Sequence, residues 1–367
     1  MCIRDSCNLF FMVSKLKKAF VCNECGSDYP KWQGQCTDCN AWNTLTEIKL
    51  SSVSGKITRH HGFSGSSDSS INLLKDVQLE EVPRIRSGTS ELDLVLGGGF
   101  VPGSCVLLGG EPGAGKSTML LQTLCFMAKS HEALYVTGEE SSQQVAMRAK
   151  RLELPTDQVQ IMTETSVENI CNVATEKKPK VLVIDSIQVV HLDDITSAPG
   201  SVSQVRESAA ILVRFAKQTN TILILVGHVT KDGTLAGPKV LEHMIDCSLM
   251  LEGRTDGQFR TLRGIKNRFG AVNELGVFAM TERGLKAVSN PSAIFLQRNE
   301  DLSSGSLVVV IWEGTRPMLV ELQALVDESH IGNPRRVTVG LDHNRLSMLV
   351  AVLHRLSLIH ISEPTRR

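Results

Sequence analysis

The chain has 367 residues, 39 Lys plus Arg balanced by 39 Asp plus Glu, and an apolar fraction of 42%. This composition excludes disordered and collagen-like classes, and the length provides for two domains or three small ones. With no bulk basic charge, any nucleic-acid binding must come from a local stripe or an oligomeric channel. No run approaches the about 20 consecutive apolar residues of a membrane span, and the N-terminus lacks the ordered zones of a secretory signal. A cytoplasmic protein with no membrane partner is expected.

Both ends look foreign. "MCIRDS" and "LSLIHISEPTRR" resemble translated sequencing adapters, so residues 1–18 are set aside as artefact plus a disordered N-terminus, and residues 356–367 as an artefact tail. The authentic chain is expected to run from near Met12 to near Arg355, where it is cut short.

Residues 19–50 contain Cys22-x2-Cys25 and, after a ten-residue gap, Cys36-x2-Cys39. Two such knuckles deliver four thiolates tetrahedrally at about 2.3 Å from Zn²⁺. A unit this small has little core, so metal ligation supplies its folding free energy, and four cysteines leave no position open for a substrate water. The site is therefore expected to be structural, with Trp32 and Trp42 packed against the knuckles. Cys105, Cys125, Cys171 and Cys247 stand singly among apolar residues and are expected as buried thiols of a reducing compartment.

Residues 51–83 begin with "SSVSGKITRHHGFSGSSDSS", whose few apolar anchors mark a flexible linker. From residue 84 to 288 the texture changes. The apolar runs 104–110, 133–138, 181–185 and 221–227 alternate with amphipathic segments 117–130, 141–152 and 202–219. That order predicts an α/β fold, a mostly parallel sheet with helices on both faces. "SLMLEG", "FRTLRGIKN" and "GVFAMTERGL" follow with hairpin spacing and are expected as antiparallel strands at one edge. Residues 289–355 start a new pattern of strands, "SLVVVIWEG", "PMLVELQALV" and "RRVTVGL", then an apolar helix from Arg345.

"GEPGAGKST" fits the phosphate-loop pattern across Gly110, Glu111, Pro112, Gly113, Ala114, Gly115, Lys116, Ser117 and Thr118. It follows a strand and opens a helix, so backbone N–H groups and the helix dipole can close on the phosphates of ATP. Lys116 is expected on the β- and γ-phosphates and the Ser117 hydroxyl on Mg²⁺. Asp185, ending "VLVID", is placed for the metal through a bound water. Glu139 and Glu140 end a neighbouring strand at the carboxyl edge of the sheet, with Glu139 the first choice for activating water and Glu140 the second. His228 ends "TILILVGH" and is a candidate γ-phosphate sensor that passes its state into the loop behind it.

"SGTSELDLVLGGGFVPGSCVLLGGEPGAGKST" resembles the start of the RecA-like ATPase core shared by strand-exchange proteins, replicative helicases and circadian-clock ATPases. With the four-cysteine knuckle, "GHVTKDGTLAGPKVLEHMID" and "KNRFG" in that order, the chain from about residue 19 to 355 resembles the bacterial RadA (Sms) family more specifically. The resemblance implies a homo-hexameric, ATP-driven motor in DNA repair. Such a motor acts on single-stranded DNA and branched recombination intermediates together with RecA. It also implies a motor role for residues 266–270. Lys266 and Arg268 alternate along a strand and are expected to reach the neighbouring subunit's γ-phosphate, a contribution of roughly 10³ to 10⁵ in rate.

DNA is expected in the ring's centre, met by the loop after Asp185 and by a second loop carrying Lys231 and Lys239. Neither loop has an aromatic platform, so backbone tracking with little base readout is expected. The segment after residue 290 resembles the start of a Lon-protease-like domain, truncated and without a working protease site. Two further hypotheses stay open: a RecA-like signalling ATPase or autokinase, and a zinc-bearing adaptor that uses ATP only to assemble.

Overall fold

Apolar residues fill both faces of four consecutive strands, which marks them as central in a sheet covered on both sides. The computed structural model describes residues 17–22, 27–29, 31–50, 83–228, 239–253, 257–296, 305–326, 336–340 and 342–356. Strand β1 (Lys17–Cys22) pairs antiparallel with both β2 (Asp28–Tyr29) and β3 (Leu45–Leu50), which makes a small sheet around Cys22, Cys36 and Leu45. Trp32 and Trp42 are not buried against it. They are 57% and 69% exposed and stand beside Gly34, where the ribbon is too thin to cover an indole.

From residue 90 the order is α1 (Ser90–Leu96), β4 (Cys105–Gly110), α2 (Lys116–Met127), β5 (Ala133–Thr137), α3 (Ser142–Arg151), β6 (Val159–Thr163), α4 (Val167–Lys177), β7 (Val181–Asp185), α5 (Val202–Thr219) and β8 (Ile222–His228). Then come α6 (Lys239–Met244), β9 (Cys247–Glu252), β10 (Phe259–Asn267), β11 (Leu275–Thr281), β12 (Gly284–Ala287) and the short α7 (Ser292–Phe295). One sheet runs β12-β11-β10-β9-β4-β8-β7-β5-β6. It is parallel from β9 to β6 and antiparallel from β9 to β12. "SLMLEG" therefore departs from expectation: β9 runs parallel to β4, and the antiparallel edge begins one strand later. The edge strand β6 and helix α4 are not expected from the sequence, because "VQIMT" is short, carries polar Gln160 and Thr163 without a period of two, and is only half-buried.

The side-chain period of two sorts the core into layers. Val106, Leu108, Tyr135, Val183 and Ile224 face α1, α2 and α3, whereas Leu107, Leu134, Leu182 and Leu223 face α4, α5 and α6. Helix α2 is buried nearly all round, as a helix over the middle of a sheet must be. Helices α3, α4 and α5 start at Ser141, Ser166 and Ser201, each accepting the backbone N–H three residues on. Such caps are worth about 1 kcal/mol each.

The chain divides into two compact units, residues 1–296 with 310–320, and the remainder. Strands β13 (Ser306–Glu313) and β14 (Arg316–Gln323) form a hairpin. In the first unit its tip is pinned by a two-pronged pair from Arg316 to buried Glu91, 3.0 Å on each prong, and Met318 packs on Leu275 and Val277. The second unit contains α8 (His343–Leu356). "RRVTVGL" forms no strand over its described residues 336–340, and the helix begins before Arg345.

Candidate active site

The strand register brings the carboxyl ends of five strands together. Gly110 lies beside His228 and Leu251, and Thr137 lies beside Asp185. Between β4 and α2 the loop turns at Gly115, whose φ of +105° disfavours a side chain and whose added Cβ would meet Met280 Cε at 2.8 Å. The backbone therefore closes tightly at the head of α2, where helix N–H groups and dipole favour an anion.

Lys116 opens that helix and is only 5% exposed. Its Nζ donates to the Gly110 carbonyl at 2.8 Å and the Glu111 carbonyl at 3.0 Å, which lays the ammonium along the loop. Burial lowers its pKa, opposed by the charges of Asp185 and Glu139. The Ser117 hydroxyl lies near the Asp185 carboxylate and favours its ionised form, and the Tyr135 hydroxyl donates to the same group. Burial is the main cause that raises the Asp185 pKa, and nearby Glu139 and Glu140 add to it. A hydroxyl and a carboxylate near each other beside a phosphate loop are the oxygen donors that Mg²⁺ prefers, and Ser117 and Asp185 would hold it there.

The turn after β5 is tied to β7, since Gly138 N–H donates to the Asp185 carbonyl at 3.1 Å. Glu139 then accepts from Ser186 Oγ, next to Asp185, and Glu140 pairs instead with Arg148 on α3. His228 is placed beside Gly110 by its backbone, while its side chain and Lys231 lie outside the described residues. Lys239 opens α6, its side chain likewise outside them.

Lys266 and Arg268 turn the same way, toward the C-terminal end of α6. Lys266 Nζ donates to the carbonyls of Glu242 and Ile245, and Arg268 to Asp246 Oδ1 at 3.0 Å and the His243 carbonyl at 3.3 Å. Asn267 Nδ2 reaches the Val95 carbonyl at 3.3 Å, and Arg84 donates to the Phe269 carbonyl. Within one subunit, then, residues 266–270 clip the ends of α1 and α6 to the sheet.

Four contributors carried no recognised motif. Tyr135 had one signal: a buried hydroxyl in an apolar strand needs a partner. Arg148, Ser186 and Asp246 have none, because their partners lie on other elements. The loop after β7 is organised by Gln204, 1% exposed, whose amide donates to the carbonyls of Leu192, Ile195 and Ser197 and accepts from Leu192 N–H.

In the ribbon, the Sγ atoms of Cys22, Cys36 and Cys39 lie within 4.8 Å of one another, with Cys22 and Cys39 3.6 Å apart. A tetrahedral thiolate site with bonds of about 2.3 Å separates its sulfurs by about 3.8 Å, so these three fit one. Cys25 lies outside the described residues. Thr44 Oγ1 approaches Cys22 Sγ at 3.1 Å and Tyr29 Oη approaches Cys36 Sγ at 3.2 Å, as groups that orient metal ligands do.

A family profile described as a rubredoxin metal binding domain matches residues 20–47, and one described as an AAA domain matches residues 73–234. Fold and site define a zinc-ribbon protein with a RecA-like P-loop ATPase core. "DNA repair protein RadA" of Haemophilus influenzae is 63% identical over 345 residues, which cover 94% of this chain and 75% of that one. The proteins of the same name from Escherichia coli and Bacillus subtilis are 63% and 45% identical over the same shares. The chain belongs to the RadA family of DNA repair proteins. Among solved structures, a KaiC-like protein from Pyrococcus horikoshii aligns over 56% of this chain and 99% of its own, at 22% identity and a TM-score of 0.48.

Proposed function

We propose that this protein is a DNA-stimulated ATPase motor that processes branched recombination intermediates as a homo-hexameric ring, in concert with RecA. The observation that carries the ATPase part is the convergence of Lys116, Ser117 and Asp185 at the carboxyl edge of the sheet. Lys116 binds the β- and γ-phosphates, Ser117 and Asp185 would hold Mg²⁺, which would neutralise charge on the phosphates, and Glu139 orients the attacking water. DNA as the partner follows from the relatives' name. Lys231 and Lys239, repeated around a ring, supply the cations that track a strand. His228, beside Gly110, reports the γ-phosphate state to the loop that bears them. In the ring, Arg268 leaves Asp246 and meets the next subunit's nucleotide, with Lys266 beside it. The ribbon holds Zn²⁺ through Cys22, Cys25, Cys36 and Cys39. The protein works in the cytoplasm.

The test is ATP hydrolysis with and without single-stranded DNA, beside Lys116→Ala and a measure of particle size. DNA-stimulated turnover in ring-sized particles, lost in the variant, supports the proposal. Rings that hydrolyse ATP without responding to DNA would favour a signalling ATPase, and activity in repair that survives Glu139→Gln would favour an adaptor.

A further inference from the structure

Two carboxylates follow β5 in succession, and the structure treats them differently. Glu139 accepts from Ser186 Oγ beside Asp185, and it is one of the two acids whose charge acts on Lys116. Glu140 is directed the other way. Its N–H donates to Thr137 Oγ1 at 3.1 Å and its carbonyl accepts from the same hydroxyl at 3.3 Å, so the backbone is held in a turn. Its Oε1 pairs with Arg148 Nη2, and its Oε2 is shut off from solvent with no hydrogen-bond partner among the described residues. One oxygen is engaged and the other is closed to bulk water, so Glu140 is poorly placed to activate a nucleophile.

We propose that Arg148 is a positioning residue for hydrolysis: it holds Glu140 aside and leaves Glu139 as the carboxylate that faces the attacking water. This rests on the reading of residues 110–118, Glu139 and Asp185 as an ATP-hydrolysing site. The clamp is rigid at its base, because Arg148 lies on α3, whose start is fixed by a reciprocal cap between Ser141 and Gln144. It is also needed electrostatically. Asp185, Glu139 and Glu140 crowd one edge of the sheet, and the Arg148 charge reaches Asp185 and Tyr135 as well as Glu140. Without Arg148, the Glu140 carboxylate, on a side chain 30% exposed, loses its ion-pair partner and is left able to swing toward the others. That would add a negative charge where Mg²⁺ and the γ-phosphate must sit.

The test is a double-mutant cycle on the full chain: Arg148→Met, Glu140→Gln and the pair, with Arg148→Lys, Glu139→Gln and Lys116→Ala beside them. Readouts are kcat, KM for ATP, affinity for a non-hydrolysable ATP analogue and the melting temperature. Glu139→Gln should lower kcat by about 100-fold or more while the analogue still binds. Arg148→Met should lower kcat on the order of 10- to 100-fold with little change in KM. Removing the Glu140 charge as well should restore kcat at least about tenfold, to the level of Glu140→Gln alone, which itself loses less than Arg148→Met. Arg148→Lys keeps the charge and should retain most of the turnover.

A double variant as slow as Arg148→Met would overturn the proposal, as would a Glu140→Gln loss equal to that of Glu139→Gln. If Arg148→Met does not fold, the Glu140→Gln and Arg148→Lys arms decide alone. Turnover that survives both Glu139→Gln and Lys116→Ala would instead sink the reading of the site itself.

Discussion

Arg268 donates to Asp246 across 3.0 Å, and the same buried carboxylate takes Lys217 Nζ at 3.2 Å and the Cys105 N–H at 3.0 Å. One acid therefore ties together the start of β4, the end of α5 and residues 266–270. The Asp246 side chain is 4% exposed and that of Arg268 is 48% exposed, so the two ends of the pair are not equivalent. Replacing Asp246 by Asn should lower stability by about 3 kcal/mol, since it leaves the largely covered Lys217 ammonium facing a neutral group. Arg268→Ala should cost much less, because Lys217 still neutralises the acid and the exposed guanidinium is well solvated. Denaturant unfolding of the two variants makes the comparison. If Arg268 also acts across a subunit boundary, Arg268→Ala and Lys116→Ala chains, each inactive alone, should recover hydrolysis when mixed; mixtures that stay inactive would confine Arg268 to its own chain.

Tyr135 and Asp185 make a second informative pair. The hydroxyl steadies the ionised carboxylate in a site where burial raises its pKa. Tyr135→Phe should therefore raise the Mg²⁺ concentration for half-maximal hydrolysis about tenfold, as loss of a hydrogen bond to a charged group does. The variant should fold, because the ring and its packing between β5 and α2 remain. A Mg²⁺ titration of steady-state hydrolysis reads this directly, and an unchanged midpoint would remove Tyr135 from the metal's surroundings.

Glu164 gives a pH dependence. It accepts the N–H groups of Ser166 and Thr165, and these bonds hold its pKa below the ordinary glutamate value of 4.5. A carboxylate with a depressed folded pKa contributes stability that is present above pH 4.5 and is lost as pH falls through the lower, folded value. Glu164→Gln should thus be less stable than the parent at pH 7, and the difference should close under acid. Melting curves across that range check it; a difference that persists in acid would contradict the assignment.

The ribbon should depend on metal in a way the ATPase core does not. Cys36→Ser should abolish stoichiometric zinc and unfold residues 19–50, because a small unit gets much of its folding free energy from ligation. Hydrolysis by Lys116 and its neighbours should remain measurable. Zinc content by elemental analysis, with far-UV and hydrolysis measurements on the same sample, separates the two.

Much of this was legible in the sequence wherever partners are local. The phosphate loop, the cysteine knuckles and the four central strands carry their own spacing, since glycines, thiolates and two-sided apolar runs must recur at fixed offsets. What was missed depends on contacts between distant elements. "CSLMLE" reads the same in either direction, and only its neighbour β4 makes β9 parallel. Lys266 and Arg268 drew attention as charges, but Lys266 is held by the Glu242 and Ile245 carbonyls and Arg268 by Asp246, which nothing in "EHMIDC" distinguishes. The divergence of Glu139 and Glu140 likewise depended on Arg148, which sits on the next helix.

The most direct test of the motor proposal is the rate of ATP hydrolysis by this chain with and without single-stranded DNA, in samples sized at the same time. A rate that rises several-fold with DNA in ring-sized particles, and vanishes with Lys116→Ala, is the predicted result. A rate indifferent to DNA in intact rings would contradict it.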